Sequence, residues 1–218
     1  MVRQVFQDQI QELLEDLLEM GQMVSGAIDR SVQALIKQDE ELARQVIAYD
    51  DEINLAQHDI DEKCLVLLAT QQPMARDLRT ILAVSNIASE LERMGDYTEG
   101  IAKLAAKLAS QPLLKPLIDI PRMAEIGRRM LQESLEAFVH EDAERARKIG
   151  DEDDIVDALY DQVYRELLIF MMQDPHTITQ ATYLLWIAHN LERIADRTTN
   201  IAERTVFTAS GEIVDLNR

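Results

Sequence analysis

The sequence predicts an all-α protein built as two tandem three-helix bundles. Strong helix formers (leucine, alanine, glutamate, glutamine, arginine) dominate, whereas glycine (7), proline (5) and aromatics (5%) are scarce. That balance favours helix and leaves few side chains suited to strands. Three of the five prolines crowd into Pro112–Pro121 near the midpoint, which no helix crosses intact. The segment Leu91-Glu92-Arg93-Met94-Gly95-Asp96 recurs as Leu191-Glu192-Arg193-Ile194-Ala195-Asp196, with Ile101-Ala102 recurring as Ile201-Ala202 at the same offset. A repeat of that length reads as an internal duplication.

Each element follows from local signals. Val5, Phe6, Ile10, Leu13, Leu14, Leu17, Met20, Val24, Ile28, Val32 and Leu35 recur at helical spacing, predicting a first helix over 5–37. Asp39 is a suitable N-cap for a second helix over about 40–70. Gln72-Pro73 marks a turn, with the proline at the opening of a third helix over about 74–109. Beyond the prolines, a fourth helix is expected over about 122–140 and a fifth over about 142–173. Asp174-Pro175 then caps and opens a sixth, to about 209. The units are therefore 1–110, a proline-rich connector at 111–121, and 122–218.

Forty acidic against 22 basic residues give a formal charge of −18, which repels nucleic acid and anionic lipid and suits cations or basic partners. Cys64 stands alone in an apolar run, so neither an intrachain disulfide nor a thiolate zinc site is expected, and a buried inert thiol is the reading. Asp8, Glu12, Glu15 and Asp16 occupy the stretch where a signal peptide would be apolar, and the longest apolar runs (64–69 and 167–172) are too short to span a bilayer. A cytoplasmic protein without membrane insertion is expected. No phosphate-cradling glycine loop, nucleophile elbow or Ser/His/Asp arrangement is visible, so no enzymatic activity is expected.

The carboxylates carry the functional signal. On the sixth helix Leu184, Ile187, Ala188, Leu191, Ile194, Ala195, Thr198 and Ile201 form one apolar stripe, with Glu192, Asp196 and Glu203 on its flank. The third helix repeats this with Val84, Ile87, Leu91, Met94 and Ile101 inward and Glu92, Asp96 and Glu99 on the flank. Short connections make antiparallel neighbours. Folding about Gln71-Gln72 sets Asp50 and Asn54 against Glu92–Asp96, and folding about Asp174 sets Asp153 and Asp157 against Glu192–Asp196. Acids so gathered call for protons or a cation, and oxygen donors suit magnesium, manganese, calcium or iron and also accept zinc. The plainer alternative is that Arg93 and Arg193 neutralise the pairs on a solvated face. His58, His140, His176 and His189 are scattered and complete no Glu-x-x-His motif, which argues against an oxygen-activating di-iron bundle. Trp186 and the methionines at helical spacing read as core.

The doubled Leu-Glu-Arg-(Ile/Met)-x-Asp motif with its following Ile-Ala resembles the PhoU signature, as do Gln71-Gln72-Pro73 followed by Asp77-Leu78-Arg79. The likeness spans essentially the whole chain. It implies a cytoplasmic, dimeric regulator that represses the phosphate-starvation response by linking the ATPase subunit of the phosphate ABC transporter to a sensor histidine kinase. It also implies metal, as iron or zinc clusters, on Glu92–Asp96 and Glu192–Asp196, with Asp50, Asp153 and Asp157 in support. The family pattern of histidine after the motif aspartate and asparagine before Ile-Ala is broken by Tyr97 and Gly100 in one repeat, and by Arg197 beside a retained Asn200 in the other. Asn54 stands where the second repeat has Asp157, so unequal metal occupancy is expected, and the second repeat has no counterpart of Asp77-Leu78-Arg79. The rival functions are iron storage or buffering, and a plain helical adaptor whose acids only solubilise it.

Overall fold

In a computed structural model, residues 2–217 are described, and every described element is helical. Met1 and Arg218, the outermost positions of the two expected units, lie outside the described residues. The helices are α1 (Val2–Lys37), α2 (Glu40–Gln71), α3 (Arg76–Leu108), α4 (Asp119–Val139), a short α5 (Ala143–Arg147), α6 (Ile149–Gln173) and α7 (Ile178–Ser210), with a 3-10 turn at Pro175–Thr177. Helices α1, α2 and α3 pack on one another, and α4, α6 and α7 do the same with α5 against α4 and α7. The two bundles meet where α3 lies along α7 and α1 along α4.

The same corner begins the second arm of each bundle. Gln38 and Glu141 both take the left-handed region, at φ +52. In the first corner the Asp39 N–H reaches Ala34 O (2.9 Å) and the Gln38 N–H reaches Leu35 O (3.2 Å); in the second, Asp142 bonds Ala137 (2.8 Å) and Glu141 bonds Phe138 (3.1 Å). Those paired bonds are a Schellman stop, formed here without glycine. The aspartate that follows then caps the next helix, Asp39 on the Leu42 N–H and Asp142 on the Arg145 N–H, each at 3.0 Å. The expected cap at Asp39 is thus borne out.

Four boundaries depart from expectation, the sixth helix among them: Asp174 caps the 3-10 turn at Pro175–Thr177, and α7 begins only at Ile178. Pro73 does not open α3: Gln72 and Ala75 both take positive φ to reverse the chain, and helix resumes only at Arg76. A residue before proline is driven out of the helical region, so Gln72 ends α2 instead. Helix α4 begins at Asp119, so Pro121 sits in its first turn, where the missing N–H has no intrahelical partner to lose. The long fifth helix is broken at Lys148, whose N–H closes a tighter bond to Arg145 O (3.1 Å).

One apolar core runs through both bundles. Every residue of the expected α3 and α7 stripes is buried, with Leu91, Met94, Ile187 and Ile194 all at 0% exposure. Cys64 is buried against the Ile81 carbonyl (3.6 Å), and burial pushes its thiol up to about 12, which makes it inert. Trp186 corrects the sequence reading: it is 54% exposed, edge-on to His189 at 5.5 Å between ring centres. Met74 and Met172 are likewise exposed at the tips of the two hairpins, whereas Met20, Met94, Met123 and Met130 are core. Near Trp186 the sequence carries the helical period but no sign that the face lacks a covering helix.

Candidate functional site

Gly95 sets the geometry of the first carboxylate cluster. A Cβ there would lie 3.2 Å from both Asp50 Oδ1 and a methyl of Ile53, so one of them would have to give by a few tenths of an ångström, and glycine eases the close approach of α2 to α3. The approach brings Asp50 to the flank of α3 that carries Glu92, Asp96 and Glu99, as the hairpin register predicts. Asn54 donates to Asp50 Oδ2 at 3.1 Å along α2, while Asp50 Oδ1 and Asn54 Oδ1 are buried without a partner. Burial and the nearby charges raise all three acids: Asp96 and Glu99 act on Asp50, Asp96 and Asp50 on Glu92, and Glu99 on Asp96. Lys103, 2.5 Å from Glu99, answers part of the charge.

The second cluster is deeper. Asp153 is 3% exposed, with Oδ1 unpartnered. Burial, then Asp157, Asp196 and Glu192 in turn, push its carboxyl up to about 7. Asp157 and Asp196 are raised by burial first and by Glu192 second. Asp153 and Asp157 therefore do face Glu192–Asp196. Here, though, Arg193 intervenes: its Nη2 stands 2.7 Å from Asp196 Oδ2, and its Nε 2.7 Å from Glu192 Oε2. The equivalent Arg93 turns instead to Glu90, at 3.6 Å. Direct pairing of the motif acids with arginine, part of the plainer alternative from sequence, is found in the second repeat, whereas in the first Arg93 only acts on Glu92 from a distance.

Several participants escaped the sequence. Asn217, in the segment after α7, donates to Asp196 Oδ1 at 3.0 Å. Glu90 joins the bundles by accepting from Arg197 Nη1 (3.3 Å) and Asn200 Nδ2 (3.1 Å) on α7. At the pseudo-symmetric position the bare backbone of Gly100 faces Asn190, whose Nδ2 would lie 2.8 Å from a Cβ there. Of the two α7 residues that fasten it to α3, Arg197 departs from the family pattern and Asn200 keeps it. Arg197 was visible in the sequence as that departure, but its meaning required knowing that α3 and α7 touch.

Among the described residues no three His, Cys, Asp or Glu side chains converge as a ready-made metal cage. The donor set nonetheless suits a hard cation: all-oxygen, anionic, and holding two of the five buried side-chain polar atoms left unpartnered among the described residues, Asp50 Oδ1 and Asp153 Oδ1. Asp50, Glu92 and Asp96 would hold a cation in the first repeat, and Asp153, Asp157, Glu192 and Asp196 in the second.

The PhoU domain matches residues 17–105 and again residues 120–205. This chain belongs to the PhoU family. It is 42% identical over 206 residues to the phosphate-specific transport system accessory protein PhoU homolog of Aquifex aeolicus, covering 94% of this chain and 93% of that protein. The homolog from Clostridium acetobutylicum is 38% identical over 218 residues, the full length of both chains. The crystal structure of PhoU from Pseudomonas aeruginosa superposes with a TM-score of 0.90 at 35% identity, covering 95% of this chain and all of that one. That of the phosphate transport system regulatory protein PhoU from Streptococcus pneumoniae gives 0.89 at 35% identity, covering 96% and 99%. The PhoU fold expected from the doubled motif is therefore the one found.

Proposed function

We propose that this PhoU-family chain is a non-enzymatic accessory of the phosphate-specific transport system that holds the phosphate-starvation response down when phosphate is plentiful. The observation that carries this reading is full-length similarity to proteins named as accessories of that system. No helix among the described residues is long and apolar enough to cross a membrane, which fits an adaptor working from the cytoplasm. In that role the chain links the transporter's ATPase subunit to a sensor histidine kinase, as a homodimer. Deleting the gene and assaying secreted phosphatase in excess phosphate tests it. High activity, returned to low by the wild-type gene, is expected; activity that stays low overturns the repressor role.

The carboxylate clusters give that adaptor a means of fixing its shape. A divalent or iron cation bound there would supply the positive charge that lets the gathered acids stay ionised. Asp50 and Glu92–Asp96 sit on opposite arms of the α2–α3 hairpin, and Asp153 and Glu192–Asp196 on opposite arms of α6–α7. Drawing each set together locks the arms of its hairpin and so sets the outer faces that partners meet. Glu90, through Arg197 and Asn200, passes any shift of α3 on to α7.

A further inference from the structure

We propose that residues 211–217 form a strap over the second carboxylate cluster, and that a divalent cation entering the cluster releases it. The inference rests on the metal reading above. Gly211, at φ +78, ends α7 in the left-handed region and turns the chain back along the bundle. Arg147 then holds Glu212 at 2.6 Å, and the half-buried Val214 and Leu216 pack on the core. The Leu216 N–H donates to Glu203 Oε1 at 2.8 Å. Its carbonyl oxygen lies 3.0 Å from where a Cβ on Gly150 would be, so the glycine makes room for the strap at the start of α6. The strap ends with the Asn217 amide on Asp196 Oδ1.

Each Asp196 oxygen thereby receives a donor, Asn217 on one side and Arg193 on the other, while both Glu192 oxygens receive Arg193. Beside them Asp153 Oδ1 is buried with none. The cluster is therefore closed at its rim and unsatisfied at its floor. A cation reaching Asp153 must also share Asp196, where its charge opposes the donated hydrogen of Asn217. Strap and cation compete, and the competition is reciprocal: whatever affinity the strap takes from the cation, the cation takes from the strap. In the first repeat no such donor reaches Asp96 among the described residues. The two clusters differ accordingly, the first standing open and the second gated.

The test is calorimetric titration with Mn2+ in an E92Q/D96N background, which silences the first cluster. The strap is intact in one chain, cut at its tip in a second (Asn217→Ala), and lifted by steric clash in a third (Gly150→Leu). Because leucine favours helix over glycine, the third variant keeps α6 while displacing Leu216. Both strap variants should bind Mn2+ more tightly at the second cluster, within roughly the 5–150-fold range of coupled sites. In the intact chain Mn2+ should speed hydrogen exchange of the Leu216 amide. Equal affinities with unchanged exchange overturn the strap and leave the cation site standing. Absence of binding by every chain, wild type included, removes the cation site and the strap's release with it.

Discussion

Asp153→Asn, in the metal-free chain, should stabilise the fold at alkaline pH. The Asp153 carboxyl titrates at about 7 in the fold against an ordinary 3.8, because it is buried beside Asp157, Asp196 and Glu192. A folded value above the unfolded one means that the folded state holds the proton more firmly, so ionisation destabilises the fold. That cost is complete above pH 7, shrinks as pH falls, and vanishes below about 4. A gap of about three units at about 1.4 kcal/mol each is worth roughly 4 kcal/mol. Asparagine copies the protonated shape without titrating, but Asp157, Glu192 and Asp196 still repel one another, so a gain of about 1–3 kcal/mol at pH 8 is expected. Urea unfolding in EDTA at pH 8 and pH 4 reads it: the variant should exceed wild type at the first and match it at the second. With saturating Mn2+ the order should reverse, because wild type gains binding free energy that the variant has lost. A variant less stable than wild type at pH 8 in EDTA would refute the account of a charge-strained floor.

The other predictions concern the framework around that floor. Glu90→Ala leaves the Arg197 guanidinium and Asn200 amide without their acceptor between α3 and α7, and should cost about 2–4 kcal/mol by urea unfolding; a change under about 0.5 kcal/mol would show the link to be idle. Leu91→Ala empties a fully buried site at the centre of the α3 stripe and should cost about 2–5 kcal/mol, with a falling melting temperature as readout. Arg193→Gln removes the internal counter-charge from Glu192 and Asp196. Because the guanidinium is partly solvated, the metal-free loss should be only about 1 kcal/mol at low salt, while Mn2+ affinity at the second cluster rises. Unchanged Mn2+ affinity would mean that Arg193 does not stand in for the cation.

Much of this was legible because helical period and punctuation are local. The stripe from Leu184 to Ile201 and its acidic flank follow from 3.6 residues per turn, and the facing of Asp50 on Glu92–Asp96 follows from hairpin length alone. Asp39 capped as its residue type predicts. What stayed hidden depends on neighbours that periodicity does not name. Trp186 has the spacing of a core residue but no helix among the described residues covers it, and Pro73 marked a turn whose exact exit is set by two positive-φ residues. The identical spelling of Arg93 and Arg193 concealed opposite destinations, fixed by what surrounds each. Asn217 had no signal at all, since its partner is brought to it only by the turn at Gly211.

We infer that the doubled carboxylate motif holds metal, one site in each repeat. Elemental analysis of the purified chain beside E92Q/D96N, E192Q/D196N and the fourfold variant tests it directly, with circular dichroism confirming that all four remain helical. Each double variant should lose the metal of its own repeat, and the fourfold variant should carry none. Equal metal content in all four folded chains would show that the motif acids do not hold it.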